Sequence, residues 1–156
     1  MSVAVSTYSV VESLHVMAAL AAYGLPFAYP LLLPYLHRNH PGALPAVHDV
    51  QHRLNLVLTG PGTVLLFAFG VYMASKDHLW GETWVMVPVA ILAVIVVAGG
   101  AIVRWTGQLA ALSATSGPPS FSPEYHRVYR RYMTTEVTLG ALVLVAIFFM
   151  VAKPFA

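Results

Sequence analysis

The chain contains no cysteine and few charged residues. Among its 156 residues, 8 are Lys or Arg and 6 are Asp or Glu, so that charged side chains make up only 9%. The absence of cysteine excludes disulfides, thiolate metal ligands and cysteine nucleophiles. So few charges do not cover the surface of a typical soluble domain. The scattered Lys and Arg residues also give no basic surface for nucleic acid, so no nucleic-acid partner is expected.

Hydrophobic residues, by contrast, make up 58% of the sequence and are concentrated in four long apolar segments. Each segment is near the roughly 20 residues that a helix needs to cross a bilayer. The sequence therefore predicts an all-α fold, a four-helix transmembrane bundle. Residues 1–156 are predicted to form a single integral membrane domain. The predicted spans are residues 8–36, 50–74, 84–103 and 132–151.

Prolines predict where these helices are distorted. Pro26, Pro30 and Pro34 recur every fourth residue in the first span, and each removes a backbone hydrogen-bond donor. We therefore expect the regular helix to end or bend near Gly24 to Pro26, and Pro61 predicts a bend in the second span. Residues 37–52 and 106–132 are predicted to be connections. The second of these is turn-rich at 113–123, while residues 124–131 are also compatible with a helix.

The distribution of positive charge predicts the orientation in the membrane. Six of the eight Lys and Arg residues belong to the first and third connections: Arg38, Arg53, Arg104, Arg127, Arg130 and Arg131. Lys76 and Lys153 lie on the opposite side. By the positive-inside rule, both connections face the cytoplasm and both termini face outward. We expect the protein to lie in a bacterial cytoplasmic (inner) membrane.

Glu12 and His15 interrupt the apolar stretch of residues 10–25. Their spacing of three places them on one helix face, and ionisable groups inside a span are usually functional or paired. Haem iron takes a neutral imidazole as axial ligand, so His15 is a candidate metal ligand. A hydrogen bond from His15 to Glu12 or to a neighbouring helix is the structural alternative. Glu-x-x-His also occurs in di-iron bundles, but those sites require the motif twice.

The first connection contains four histidines, His37, His40, His48 and His52. Imidazole binds divalent metals, so one hypothesis is a metal site, with copper as the metal and Met17 and Met73 as soft ligands. The alternative is a polar loop without a metal.

Arg53, Arg131 and Glu136 are predicted to gather with Arg130 at the cytoplasmic end of the bundle. Arg pairs with carboxylates through two parallel hydrogen bonds. These residues are therefore candidates to clamp the propionates of a cofactor or another anionic ligand. Two structural alternatives remain open. The arginines can act as topology signals that contact lipid phosphates, or Glu136 can form an interhelical ion pair with Arg53.

Three stretches of the chain resemble a four-helix membrane superfamily. They are LHVMAALAAYGLPFAYPLLL at 14–33, QHRLNLVLTGPGTVLLFAFGVYMA at 51–74 and YRRYMTTEVTLGALVLVAIFFMVAKPF at 129–155. The superfamily includes HemJ-type protoporphyrinogen oxidases, CopD-like copper-resistance proteins and predicted integral membrane proteins of unknown function. His15 matches a His early in the first helix, and Arg53 belongs to the Arg-Leu pair that opens the second. Arg131, Glu136 and the Lys-Pro-Phe of 153–155 match the fourth helix, in which Thr135 replaces an Asn.

The resemblance implies a bundle with a haem b or porphyrin site at His15, and with Arg53, Arg131 and Glu136 as further cofactor-binding residues. Residues 86–103 lack the Lys and His of the HemJ-type third span, so porphyrinogen oxidation does not follow. We predict a haem- or porphyrin-associated protein of membrane electron transfer that contacts lipid and acts as a small subunit of a larger complex or as a homo-oligomer. A cofactor-free membrane helper and a copper-handling protein are the alternatives.

Overall fold

A computed structural model describes residues 6–116 and 121–155, and these residues contain helices and no strand. The α-helices are α1 (Thr7–Tyr23), α2 (Tyr29–Asn39), α3 (Leu44–Leu54), α4 (Gly60–Lys76), α5 (Thr83–Ser116) and α6 (Pro123–Ala152). Two 3-10 turns, Pro26–Ala28 and Pro41–Ala43, and a π-helical turn, Asn55–Thr59, join some of them.

The helices form four continuous segments long and apolar enough to cross a membrane: Thr7–Asn39, Pro41–Lys76, Thr83–Ser116 and Pro123–Ala152. The predicted four-helix transmembrane fold is therefore confirmed, while the orientation of the termini stays a prediction. We call the end of the bundle with the α2–α3 and α5–α6 connections the connection end. The other end, with the α4–α5 connection, is the terminal end.

The first span is broken where its prolines predict. Helix α1 stops at Tyr23, the 3-10 turn begins at Pro26, and α2 starts at Tyr29 with a proline in its first turn. Proline is tolerated in the first turn because the backbone N–H groups there have no partner within the helix. Pro34 lies inside α2. The first span therefore continues across the break as a second helical piece.

The two connections at the connection end are shorter than the sequence predicts. Helix α5 continues to Ser116 beyond the predicted end at residue 103, and α3 already begins at Leu44. Helix α6 begins at Pro123, and its N-cap Ser122 accepts a hydrogen bond from the Tyr125 backbone N–H at 3.1 Å. These polar segments are helical because one face of each is buried against its neighbours. Of the predicted turn-rich segment 113–123, residues 117–120 lie outside the described residues.

The buried core lies mainly at the connection end. At 1.5 Å per residue, α5 is about 51 Å long, whereas the hydrocarbon core of a bilayer is about 30 Å thick. The main core cluster contains Tyr29, Leu33, Leu44, Ile102, Leu109, Phe121, Tyr125, Val128 and Tyr132. Elsewhere large apolar side chains such as Leu20, Val97 and Val151 are exposed, as expected for surfaces that contact lipid.

Three extensive contacts between helices build the bundle: α5 packs on α6, α1 on α4 and α3 on α5. Close approach of α1 and α4 depends on small residues, because a methyl group on Gly62 would lie 3.1 Å from Ala22 Cβ. Small residues at such contacts are typical of membrane helices. Helix α4 makes little contact with α5. The second and third spans therefore separate beyond α3, and a space remains between α4 and α5 near the middle of the bundle.

Candidate functional site

This space is a cavity of about 500 Å³ that is bounded by all four spans. Apolar residues such as Phe27, Val96 and Leu144 make up most of its wall. Small-molecule sites typically have volumes of roughly 300–1,000 Å³ and largely apolar linings with a few polar groups. The cavity is therefore the candidate binding site of this protein.

The polar side chains of the cavity wall belong mainly to the second span. The Thr63 hydroxyl donates to the Thr59 backbone carbonyl at 2.8 Å, so it must accept the hydrogen of the Tyr23 hydroxyl at 3.1 Å. Tyr23, Thr59 and Thr63 therefore satisfy one another's hydrogen bonds. Asn55, whose Nδ2 donates to the Thr106 hydroxyl at 3.5 Å, can still offer its amide oxygen to a ligand. Glu136 from α6, only 8% exposed, contributes a carboxyl group.

A π-helical turn shapes the second-span part of this wall. Pro61 has no backbone N–H to donate to the Val57 carbonyl, so a regular α-helix cannot form there. The chain instead widens over Asn55–Thr59, and the Gly60 N–H donates to the Asn55 carbonyl five residues back. The distortion predicted at Pro61 is therefore observed as a π-helical turn. Turns of this kind frequently occur at functional sites.

A buried hydrogen-bond network joins α3 to α6 between Glu136 and the connection end. Gln51 Nε2 donates to the Tyr132 hydroxyl at 2.6 Å, and Gln51 Oε1 lies 3.1 Å from His48 Nδ1. His48 Nε2 lies 3.0 Å from the Tyr125 hydroxyl. Glu136 follows Tyr132 by one turn of α6, with its carboxyl group beside that hydroxyl. We call these five residues the polar chain. Its four members other than Glu136 are at most 1% exposed.

Helix periodicity brings these side chains together. His48 and Gln51 are three residues apart on α3, and Tyr125, Tyr132 and Glu136 share a face of α6 at spacings of seven and four. Except for Glu136, these residues are not connected with one another by the sequence: His48 is predicted to be a connection histidine, Tyr125 lies in a predicted connection, and Gln51 and Tyr132 lie at the predicted starts of spans. The spacing becomes a usable signal only once residues 44–54 and 123–132 are recognised as helical.

Of the four residues predicted to bind a cofactor, only Glu136 lines the cavity. The Arg53 side chain is 73% exposed and forms a salt bridge with Asp49, with Nε and Oδ2 3.0 Å apart. No other salt bridge is found among the described residues. Arg53 therefore pairs with Asp49 and not with Glu136. Arg131 is exposed on α6. The roles of Arg53 and Arg131 as ligand contacts stay predictions.

His15 lies apart from the cavity, between α1 and α4. An ideal Cβ on Gly70 would be 3.2 Å from His15 Cε1, so the glycine provides the space for the imidazole ring. His15 Nδ1 is buried and makes no hydrogen bond to a described residue, and the Leu66 backbone lies near the ring. Glu12 is exposed on the same helix. His15 is therefore a partly buried imidazole on the α4 side of α1.

These positions do not fit a haem held jointly by His15, Arg53, Arg131 and Glu136, since the four residues do not surround one space. Among the described residues that line the cavity, none is His or Met. The cavity thus lacks the usual axial ligands of haem iron. Haem b at His15 stays a prediction, and it concerns a position outside the cavity.

The histidines of the first connection are dispersed. His37 stacks on His126 with ring centroids 5.5 Å apart, His48 belongs to the polar chain, and His52 Nδ1 lies 3.2 Å from the Thr106 hydroxyl. In the described parts of the chain, no group of three or more His, Asp or Glu side chains could hold a metal ion. The described histidines therefore do not form a site that supports the copper hypothesis.

A known family model matches nearly the whole chain. Residues 9–154 match the model of a family described as predicted integral membrane protein (DUF2269). No curated protein and no solved structure matches the chain.

Proposed function

The chain belongs to this DUF2269 family of predicted integral membrane proteins, and we propose that it binds a lipophilic small molecule in the intramembrane cavity. One observation carries the proposal: the Glu136 carboxyl group, 8% exposed, belongs to an otherwise largely apolar wall. An ionisable group inside a membrane span is costly and usually serves a function. The cavity supplies the apolar contacts, and Glu136 supplies a specific polar one.

The chemistry of Glu136 defines the class of ligand. An ionised carboxylate only accepts hydrogen bonds, so the matching ligand carries an N–H or O–H donor within an apolar framework. A metal-free porphyrin belongs to this class through its pyrrole N–H groups, and it is the member favoured by the resemblance to HemJ-type proteins. It also requires no iron ligand from the cavity wall. An electron-transfer role follows only for a redox-active ligand.

Two neighbouring glycines of α5 provide a matched test. A Cβ on Gly99 or on Gly100 meets nothing within 4 Å, but only Gly99 lines the cavity. The probe is iron-free protoporphyrin IX, titrated into the purified protein in detergent micelles and followed by its fluorescence. Gly99→Leu should fill part of the cavity and weaken binding by about tenfold or more, equivalent to about 1.4 kcal/mol, while Gly100→Leu should leave it unchanged.

Glu136→Gln separates the polar contact from the apolar ones. The amide keeps the shape but not the charge of the carboxylate, so we expect weaker binding without complete loss. Equal affinities of the two leucine variants would contradict the cavity as the site. Porphyrin uptake that does not saturate would show partition into the micelle and contradict the proposal as well.

Haem b at His15 is the second candidate, and its buried, unsatisfied Nδ1 is the observation that favours it. A ligating imidazole commonly directs its second nitrogen toward a backbone carbonyl, and the Leu66 backbone lies near this ring. A Soret absorption band that persists in Gly99→Leu and disappears in His15→Ala would establish this site. A protein that shows no such band after expression with added haem, and binds no porphyrin, would favour the cofactor-free helper.

A further inference from the structure

The connection end carries an open groove that is separate from the cavity. It lies between the last turn of α2 and the first two turns of α6. The residues that line it are His37, Pro123, His126, Arg127, Tyr129 and Arg130. Two guanidinium groups and two imidazoles thus line one space, and none of the described residues in its wall is acidic. We call this space the basic groove.

Aromatic contacts hold the His37 imidazole of the basic groove in place. Its ring stacks on the ring of the exposed His126, with centroids 5.5 Å apart and an angle of 22° between the planes. It also meets the rings of Phe121 and Tyr129 edge-on, with centroids 5.4 Å apart in both cases. A side chain that is already fixed loses little conformational freedom when a ligand binds. This wall of the groove is therefore preorganised.

The two arginines of the basic groove make no salt bridge to a described residue. The salt bridge found in the described part of the chain joins Arg53 to Asp49. Arg127 and Arg130 are exposed, and the exposed Glu124 of the first turn of α6 does not line the groove. Guanidinium groups bind phosphate through two parallel hydrogen bonds. A phosphate group therefore matches both the charge and the donors of the groove.

The basic groove lies at the depth of lipid headgroups. The fourth span is predicted to begin at residue 132, so Arg130 and His126 precede it by about 3 Å and about 9 Å at 1.5 Å per residue. A bilayer is about 30 Å thick in its hydrocarbon core and about 40–45 Å with the headgroups, which leaves about 5–7.5 Å for each headgroup layer. The groove therefore extends through the layer that contains the phosphates of membrane lipids.

We propose that the basic groove binds the phosphate group of an anionic membrane lipid. Arg127 and Arg130 neutralise the phosphate, and the imidazoles of His37 and His126 offer ring N–H donors to its oxygens. A zwitterionic headgroup also carries an ammonium group, which the guanidinium groups repel and for which the described wall offers no carboxylate. Phosphatidylglycerol should therefore bind more tightly than phosphatidylethanolamine. This site is independent of the ligand proposed for the cavity, because no described residue lines both.

Positive residues beside a membrane span can also act only as topology signals, so the test must distinguish the groove from the positive charge around it. We suggest native mass spectrometry of the full chain in micelles of a neutral detergent, which resolves each bound lipid. The probes are dioleoyl phosphatidylglycerol and dioleoyl phosphatidylethanolamine, titrated separately. The first phosphatidylglycerol should bind about tenfold more tightly or better, since each guanidinium group attracts anionic lipid.

Two exposed arginines of the connection end give a matched pair of variants. Arg130 lines the basic groove, whereas Arg104 of α5 does not. Arg130→Gln should weaken the binding of phosphatidylglycerol by about fivefold, and Arg104→Gln should leave it unchanged. Both variants lose the same charge from an exposed position, and far-ultraviolet circular dichroism checks that both are folded. Arg127→Gln removes the other guanidinium group of the groove and provides the same test if Arg130→Gln fails to fold.

Three results would overturn the proposal. Equal affinities for the two lipids would show that the groove does not select an anionic headgroup. Equal losses in Arg104→Gln and Arg130→Gln would assign the binding to the general positive charge of the connection end. Displacement of phosphatidylglycerol by millimolar inorganic phosphate would identify a free phosphate compound, and not a lipid, as the ligand.

Discussion

Replacing Gly62 by alanine should separate helices α1 and α4. The added methyl group would lie 3.1 Å from Ala22 Cβ and 3.2 Å from both Ala22 Cα and Ala22 N. Optimal contacts between carbon atoms are about 3.5–4.0 Å, and Ala22 is fully buried. Two of the three crowded atoms belong to the backbone, so no change of side-chain rotamer relieves the contact and one helix must shift. Overpacking of this kind typically costs about 1–3 kcal/mol.

The same substitution at Gly100 provides the reference. Alanine favours a helix over glycine by about 1 kcal/mol, but this gain is common to both variants and cancels in their comparison. A Cβ at Gly100 meets no atom within 4 Å, so Gly62→Ala should be less stable than Gly100→Ala by about 1–3 kcal/mol. The assay is unfolding by sodium dodecyl sulfate in mixed micelles, followed by circular dichroism. Coincident unfolding curves would refute the close packing of α1 on α4.

Two further substitutions test smaller elements by the same unfolding assay. Arg53→Gln removes the salt bridge with Asp49, whose side chains are 73% and 53% exposed, so the stability should fall by less than about 1 kcal/mol; a larger loss would indicate another partner of Arg53. Ser122→Ala removes the N-cap bond of α6 to the Tyr125 backbone N–H and should cost about 0.5–2 kcal/mol, whereas unchanged stability would mean that Pro123 alone sets the helix start.

The prolines show how far local sequence determines this fold. Pro26 ends α1 and Pro61 accompanies the π-helical turn, because the missing N–H acts within the same segment and needs no distant contact. The four spans are equally local, since their apolar length by itself matches a bilayer. Apolar length alone does not predict where the helices end. Residues 104–116 and 123–131 are too polar to be recognised as membrane spans, yet they are helical.

The candidate site shows the limit of local patterns more clearly. Glu136 was identified as an ionisable residue near a span, and the structure places it in the cavity wall. The sequence places His48 among four connection histidines, yet it is completely buried and hydrogen-bonded to Tyr125, 77 residues away in the sequence. Such a contact depends on how α3 and α6 pack on α5, which no spacing along one helix specifies.

The four-span membrane bundle can be predicted from the sequence alone, because apolar length and proline position act within single segments. The cavity, and the position of Glu136 rather than His15 in its wall, became visible only in the folded protein. The same is true of the hydrogen bonds that join His48, Gln51, Tyr125 and Tyr132. A cavity and a buried hydrogen-bond network each depend on distances between separate helices. Those distances are set by packing at residues such as Gly62 and Ala22.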